Sequence, residues 1–342
     1  CIRDRGGTVR SMLVGYLAID LGPSRSSVGV VDPEGVVMIR DRIPTPARNV
    51  WPAITGLARR VLAANPTGVQ PVAIGVTCPG PIDRMTGAMK PPGLPTWHDF
   101  PIRRELAELT GLPVAIETSG RGLALAQAWL GPAFRSGHGA TLVLGDTADG
   151  GLMIHGRLAD GATGNLGQFG HIVVEPGGER CVCGASGCLA AYATTGAITA
   201  STGRDLRRTP DAIVERTGIM AARAIASLAA MLDVSDVIVG GIVPSVLGER
   251  FFDALEIELD QRSRLGHLAE LLVHPPGALG PLAAAAAVAR TVAPDGRPDD
   301  GPDGRPDVEP DGETDVEPDV GSAGGSDIEP PSTESQRSAV QP

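Results

Sequence analysis

The sequence predicts an α/β fold that carries one cysteine-rich, metal-binding stretch and ends in an acidic, disordered tail. Three observations lead there. Strand-like runs crowd residues 13–42, and helical and strand-like runs then alternate to about residue 293. Three of the five cysteines fall between Gly164 and Thr194. The composition changes abruptly after Pro294. A chain of 342 residues makes one large or two modest domains. At 42% hydrophobic but only 3% aromatic, its core must be built from Val, Leu, Ile and Ala.

Taken in order, 13–32 (LVGYLAIDLGPSRSSVGVVD) reads as strand, turn and strand, with Asp20 and Gly22 at the turn, and 36–42 as a third strand. An ordinary hairpin turn that happens to hold an Asp is the alternative for this segment. Residues 51–64 have helical spacing, with Ile54, Leu57, Val61 and Leu62 on one face. A buried strand over 71–76 leads into Thr77-Cys78-Pro79-Gly80-Pro81-Ile82-Asp83, where Cys78 reads as a small buried hydrophobe. A short amphipathic helix over 102–110 precedes a strand over 112–117, and GLALAQAWLG is a helix. Residues 141–144 form a strand, 145–151 a glycine-rich loop, and 156–164 a connecting hairpin. Helical runs cover 210–217 and 218–232. A buried strand ends in Gly240-Gly241-Ile242, and helices follow over 251–260 and 280–292, the last rich in alanine.

The stretch GNLGQFGHIVVEPGGERCVCGASGCLAAYAT holds Cys181, Cys183 and Cys188, with His171 ten positions before the first of them. Thiolate sulfur and imidazole nitrogen are the ligands Zn²⁺ prefers, and three Cys with one His complete a closed tetrahedral site. Gly184 and Gly187 let the chain double back tightly enough for one ion to reach all three sulfurs. Three buried thiols, or a disulfide with one thiol left over, are the alternatives.

The net charge of −11 is concentrated beyond Pro294, and the body before it is neutral, which argues against nucleic-acid binding through the body. In the tail, 294–342, Pro, Gly and Asp dominate and apolar residues are too few to offset the entropy of ordering. No apolar run is long enough to span a membrane. The opening CIRDRGGTVRSMLVG lacks the apolar region of a secretory signal, and free Cys1 and Cys78 fit a reducing cytoplasm. A first residue of Cys points to a processed, truncated or mis-started chain, with Met12 as the expected start.

Gly164, Gly167, Gly170, His171, Cys181, Cys183, Gly184, Gly187 and Cys188 together form a pattern that closely resembles the signature of the ROK family of repressors, open reading frames and sugar kinases. Gly75 with Pro79-Gly80-Pro81-Ile82-Asp83 resembles a second motif of that family. The resemblance implies a two-lobed, actin-like ATPase (ribonuclease H-like) fold, with residues 12–118 and 280–293 in the first lobe and 119–279 in the second. It also implies a zinc ion of structural role, ATP with Mg²⁺ if the protein is active, a sugar ligand and a homodimer. Asp20 would help to hold Mg²⁺. The nucleotide-binding set would be Asp20, Gly22, Gly145, Gly150, Gly151, Gly240 and Gly241, and the sugar-binding set Thr118, Gln168, His171 and Ala190.

Several of these positions depart from the family pattern. Where active members have Glu-Asn-Asp-Ala-Asn, whose Asp is the general base, this chain has Glu117-Thr118-Ser119-Gly120-Arg121. A serine cannot act as that base near neutral pH, and Glu117 is a weak substitute two residues back on the strand. The usual Gly-Gly-Thr-Lys is Gly22-Pro23-Ser24-Arg25, and Pro23 removes one phosphate-facing amide. The loop Gly-Thr-Gly-x-Gly-x-Gly has gained Asp146 and Asp149, which repel phosphate unless one of them binds Mg²⁺. Ile242 replaces a third glycine and narrows the space for a nucleotide base. Two sugar-contacting Glu positions are Gln168 and Ala190, and an Asn expected before the Pro95-Thr96-Trp97 segment is replaced near Gly93. The expectation is a sugar-kinase-like protein with impaired catalysis that binds a sugar or a partner in its interlobe cleft. An active hexose or N-acylhexosamine kinase is the first alternative. A transcriptional regulator of the family is the second, although only about a dozen residues precede Leu13, too few for its helix-turn-helix.

Overall fold

The computed structural model describes residues 13–294 apart from 66–68, 92–96, 98, 135, 263 and 265. Cys1, Met12, Gly93, Pro95, Thr96 and the acidic tail from residue 295 lie outside the described residues.

The chain opens with an antiparallel meander, β1 (Leu13–Leu21), β2 (Arg25–Val31) and β3 (Val37–Pro44). After α1 (Val50–Ala63), β4 (Val69–Cys78) lies parallel to β1 on its other side. The short β5 (Ile82–Asp83) and β6 (Ala88–Met89) and helix α2 (Ile102–Thr110) lead to β7 (Val114–Thr118), parallel to β4. The sheet order is β3-β2-β1-β4-β7.

Helix α3 (Ser119–Leu130) then starts a second sheet of the same plan. Strands β8 (Gly139–Leu144), β9 (Ala148–Ile154) and β10 (Arg157–Leu158) form the meander. A loop region with a short 3₁₀ turn at Phe169–His171 follows, then α4 (Ala190–Ala193), α5 (Thr195–Thr202) and α6 (Asp211–Leu232). Strand β11 (Asp236–Gly240), helices α7 (Ile242–Leu247), α8 (Glu249–Asp260) and α9 (Gly266–Ala269), strand β12 (Leu272–His274) and helix α10 (Pro281–Arg290) complete it. This sheet runs β10-β9-β8-β11-β12, with β8, β11 and β12 parallel.

The first sheet is covered on both faces, so its central strands read as unbroken apolar runs rather than as alternation. Leu17, Ile19 and Leu21 of β1 pack with Ile54, Leu57 and Val61 of α1, while Tyr16 and Ala18 face α10. Strand β3, at the edge, does alternate between half-buried and exposed. The alanines of α10 let it come so close that a Cβ at Gly75 on β4 would overlap the Ala285 carbonyl. Here the last helix packs back on the first sheet.

Three boundaries differ from the sequence expectation. Helix α3 begins at Ser119, so the run expected to hold the catalytic base sits in its first turn. Residues 210–232 form one helix rather than two, because Gly218 seats α6 against α8, where a Cβ would crowd the Phe251 carbonyl. The glycine-rich segment 145–151 is a loop only to Thr147, and Asp149, Gly150 and Gly151 belong to β9. Glycine suits that strand because other backbone crosses it closely: a Cβ at Gly151 would meet Arg121 Cα at 2.8 Å. Among the described residues no helix is long and apolar enough to cross a membrane.

Candidate functional site

The ends of the parallel strands converge where the two sheets meet, which is where open α/β sheets hold ligands. Asp20, one residue from the end of β1, accepts a 2.8 Å hydrogen bond from Thr77 Oγ1 at the end of β4. Loss of water pushes its carboxyl up to about 6, and the charge of Asp146 from the second sheet adds to the rise. Asp146 reaches across to the β1–β2 turn: its Oδ2 accepts the Ser24 N–H at 2.9 Å and its Oδ1 the Thr195 hydroxyl at 2.7 Å. The Ser24 amide, which follows Pro23, is thus satisfied from within. Gly22 is held in the turn by its N–H to Arg25 O at 2.9 Å and by the Thr45 hydroxyl on its carbonyl. Gly241 has φ 106°, and a Cβ there would overlap Leu144 O, so glycine is required where α7 starts beside β8. Ile242 is half exposed in the first turn of α7.

Asp149 is buried at the N-terminus of α3. Its Oδ1 accepts the Gly120 N–H at 2.5 Å, and its Oδ2 is 3.4 Å from Thr147 Oγ1. Burial drives its carboxyl up to about 6, against the pull of the Gly120 amide and of the Thr118 and Thr147 hydroxyls. The Cys78 thiol, at the neighbouring strand end, is raised by burial and by the nearby carboxylates. Its side chain is fully buried, as its sequence setting implied.

Glu117 sits in a network that its sequence position does not reveal. Arg84 approaches it with both terminal nitrogens, at 2.8 and 2.7 Å, and also donates to Gly164 O. Arg121, fully buried in the first turn of α3, donates from Nε to the same carboxylate at 2.6 Å. The rest of its guanidinium binds Ala159 O, Leu166 O and Asp160 Oδ1. Both oxygens of Glu117 are therefore held by guanidinium donors. Asn165 makes a peptide-like pair with Ile82, accepting from its N–H at 2.7 Å and donating to its carbonyl at 2.9 Å. Arg84, Arg121, Asp160 and Asn165 were not singled out in the sequence. The only available signal was a long cation in an otherwise small-residue run, Ser119-Gly120-Arg121-Gly122.

Of the positions expected to touch sugar, Thr118 and Gln168 come together. A Cβ at Gly80 would stand 2.8 Å from both the Gln168 amide nitrogen and Thr118 Cγ2. Ala190 opens α4 and is half-buried. Next to this point a cavity of about 890 Å³ is lined by residues including Asp83, Arg84, Lys90, Glu117, Asp160 and Asn165.

His171, Cys181, Cys183 and Cys188 do meet: their ligand atoms all lie within 4.8 Å of one another. Cys181 Sγ to His171 Nδ1 is 3.6 Å, and Cys183 Sγ to Cys188 Sγ is 3.8 Å. A tetrahedral ion with bonds of about 2.3 Å to sulfur and about 2.0 Å to nitrogen has edges close to these values. A disulfide, with its S–S of about 2.05 Å, does not. Burial lowers the His171 pKa, the direction that favours the neutral ring a ligand needs, while burial and the two neighbouring sulfurs push Cys188 up to about 12. The donor set fits a metal that would deprotonate these thiols.

Two duplicated sheets meeting at a cleft, with a Cys₃His cluster beside it, define a sugar-kinase-like protein of the actin-like ATPase type. The sequence profile of the ROK family matches residues 16–262, and the chain belongs to that family. A glucokinase from Thermotoga maritima is 35% identical over 184 residues, 53% of this chain and 58% of that protein. The chain thus spans about three fifths of the length of such curated relatives. The ROK hexokinase from Thermus thermophilus is 30% identical, with a TM-score of 0.67 over 81% of this chain and 98% of the other. A ROK glucokinase from Streptomyces griseus, solved with glucose and AMPPNP, shares the fold at a TM-score of 0.69 and 24% identity, covering 81% and 99%.

Proposed function

We propose that this chain binds a hexose or N-acylhexosamine in the cleft between its sheets and transfers phosphate to it from ATP only slowly. One observation carries the reading. At the junction of β7 and α3, where the family pattern puts its general base, the chain has Ser119, and both oxygens of the nearest strand carboxylate, Glu117, are engaged by Arg84 and Arg121. General-base help is worth roughly 10²- to 10⁴-fold, so the absence of a carboxylate at this position leaves binding intact and slows chemistry. The Asp146–Ser24 bond and Ile242 weigh against tight nucleotide binding in the same way.

On the sugar side, Thr118 and Gln168 flank Gly80 at one wall of the cleft. The Cys₃His cluster would hold a structural Zn²⁺ that fixes the segment bearing Gln168, and Asp20 is the residue that would hold Mg²⁺. When bound, Mg²⁺ neutralises phosphate charge. The chain's own part is to position the sugar and exclude water.

A thermal-shift titration with ATP–Mg²⁺ and with glucose, mannose, N-acetylglucosamine and N-acetylmannosamine, run beside a coupled phosphorylation assay, tests this. A shift with at least one sugar and turnover well below the usual 1–10³ s⁻¹ is expected. Turnover within that range would make the protein an ordinary kinase of its family. No shift with any sugar would remove the sugar-binding reading.

A further inference from the structure

We propose that Asp149 is the general base of the remaining phosphotransfer, a carboxylate supplied from β9 in place of one at the start of α3. The proposal rests on the reading of the cleft as a sugar and phosphate site. Its foundation is position. Asp149 Oδ1 lies 2.5 Å from the Gly120 amide nitrogen. That nitrogen is about 2.4 Å from the Cα of Ser119 by covalent geometry, so the carboxylate stands within about 5 Å of that Cα. An aspartate side chain at 119 would place its oxygens in the same neighbourhood.

The packing shows why the carboxylate can arrive from the other strand. Gly120 has no side chain, and a Cβ there would overlap the Gly150 backbone. Gly151 lies as close to Arg121 and Ala124. With glycine on both sides, β9 lies directly against the first turn of α3, and Asp149 reaches its backbone.

The other acidic groups near this point are committed elsewhere. Glu117 is held by Arg84 and Arg121 and Asp146 by Ser24 and Thr195, while Asp20 accepts from Thr77 on one oxygen and is the residue that would hold Mg²⁺. At Asp149, Oδ1 is anchored by the Gly120 amide, Oδ2 lies 3.4 Å from the Thr147 hydroxyl, and the Thr118 hydroxyl also draws on the carboxylate. One oxygen is fixed by an amide, and the carboxylate's other partners are hydroxyls rather than cations, so it can still accept a proton. Burial raises its carboxyl to about 6, against the Gly120 amide and the Thr118 and Thr147 hydroxyls and with a small push from Asp20, close to the pH at which a base is most useful.

In the step itself the sugar hydroxyl oxygen bonds to the γ-phosphorus of ATP and its proton passes to Asp149 Oδ2. The bond between that phosphorus and the β,γ-bridging oxygen breaks, releasing ADP. The competing explanation is that Asp149 only caps α3, accepting an amide that would otherwise be unsatisfied.

The full-length protein, its Asp149→Asn variant and the double variant Ser119→Asp/Asp149→Gly are compared with each of the four sugars, ATP–Mg²⁺ binding being followed in parallel by thermal shift. Asparagine can still accept the Gly120 amide, so a capping role alone predicts near-normal turnover. The proposal expects Asp149→Asn to lose 10²-fold or more in kcat with KM within a few-fold, and expects the double variant to turn over at least as fast as the wild type. If Asp149→Asn does not fold, the double variant decides by itself. Undiminished kcat in Asp149→Asn, or a folded double variant without turnover, overturns the proposal. So does a wild type that binds sugar and ATP yet turns over none, a result that leaves the sugar-binding reading standing. Absence of both shifts would instead sink that reading and the base with it.

Discussion

The carboxylate of Glu117 and the guanidinium of Arg121 form an ion pair in which the cation is completely buried, and such pairs fail badly when one partner is removed. Glu117→Gln should lower stability by about 3–5 kcal/mol, since Arg121 would keep its charge with only Asp160 to balance it. Equilibrium unfolding in urea would measure this. A loss below about 1 kcal/mol would mean that Asp160 and the carbonyls suffice. Asp149 makes a prediction of opposite sign. Its folded pKa of about 6 lies above the ordinary carboxylate value, so the native state binds the proton more tightly than the unfolded chain. Its contribution is present in full below about pH 4 and is lost as pH rises through 6. The loss amounts to roughly 3 kcal/mol if the shift is two units. Between pH 6 and 8 the wild type should therefore gain no stability from Asp149, and Asp149→Asn should be the more stable protein at pH 8, a difference that thermal melts at pH 5 and pH 8 would expose. Asp146→Thr should free the Ser24 amide and remove a negative charge, tightening ATP–Mg²⁺ binding by roughly tenfold, or about 1.4 kcal/mol, as read by calorimetry.

At the scale of elements, the cysteine-rich loop and the alanine helix hold the architecture by different means. The segment from Gly164 to Thr194 holds short helical turns and two isolated β-bridges, Val173 to Cys188 and Arg180 to Ser186, and a metal held by the Cys₃His cluster would add a cross-link to them. Metal analysis should find one zinc per chain, and a strong chelator should lower the melting temperature and expose this segment to protease. Equal melting curves with and without chelator would remove zinc from the account. Helix α10 instead holds the first sheet by close approach. Gly75→Ala puts a methyl into the Ala285 carbonyl and should cost about 1–3 kcal/mol through overpacking, visible as a lowered denaturant midpoint.

For the whole molecule, the two sheets share a strand order and are tied across their junction by Arg84 to Gly164, Asn165 to Ile82 and Asp146 to Ser24. The chain by itself determined a great deal of this. The apolar strand runs, the alanine helix and the Cys-x-Cys spacing are local patterns, and local geometry follows from them: strands buried on both faces, a helix narrow enough to pack closely, and ligands within reach of one ion. That Ser119 stands where the family pattern has its aspartate is an expectation from the motif alone. The partners of Glu117 were not legible, because Arg84 lies 33 positions before it, and nothing in either neighbourhood encodes their meeting. Nor was the position of Asp149 beside Gly120, 29 residues apart. In the sequence that aspartate reads as damage to a phosphate loop. In the fold, two glycine-bearing elements pack backbone to backbone and carry it to the start of α3. Distances between residues far apart in the chain are fixed by packing, and packing alone decided that guanidinium groups hold Glu117 while an amide and hydroxyls surround Asp149.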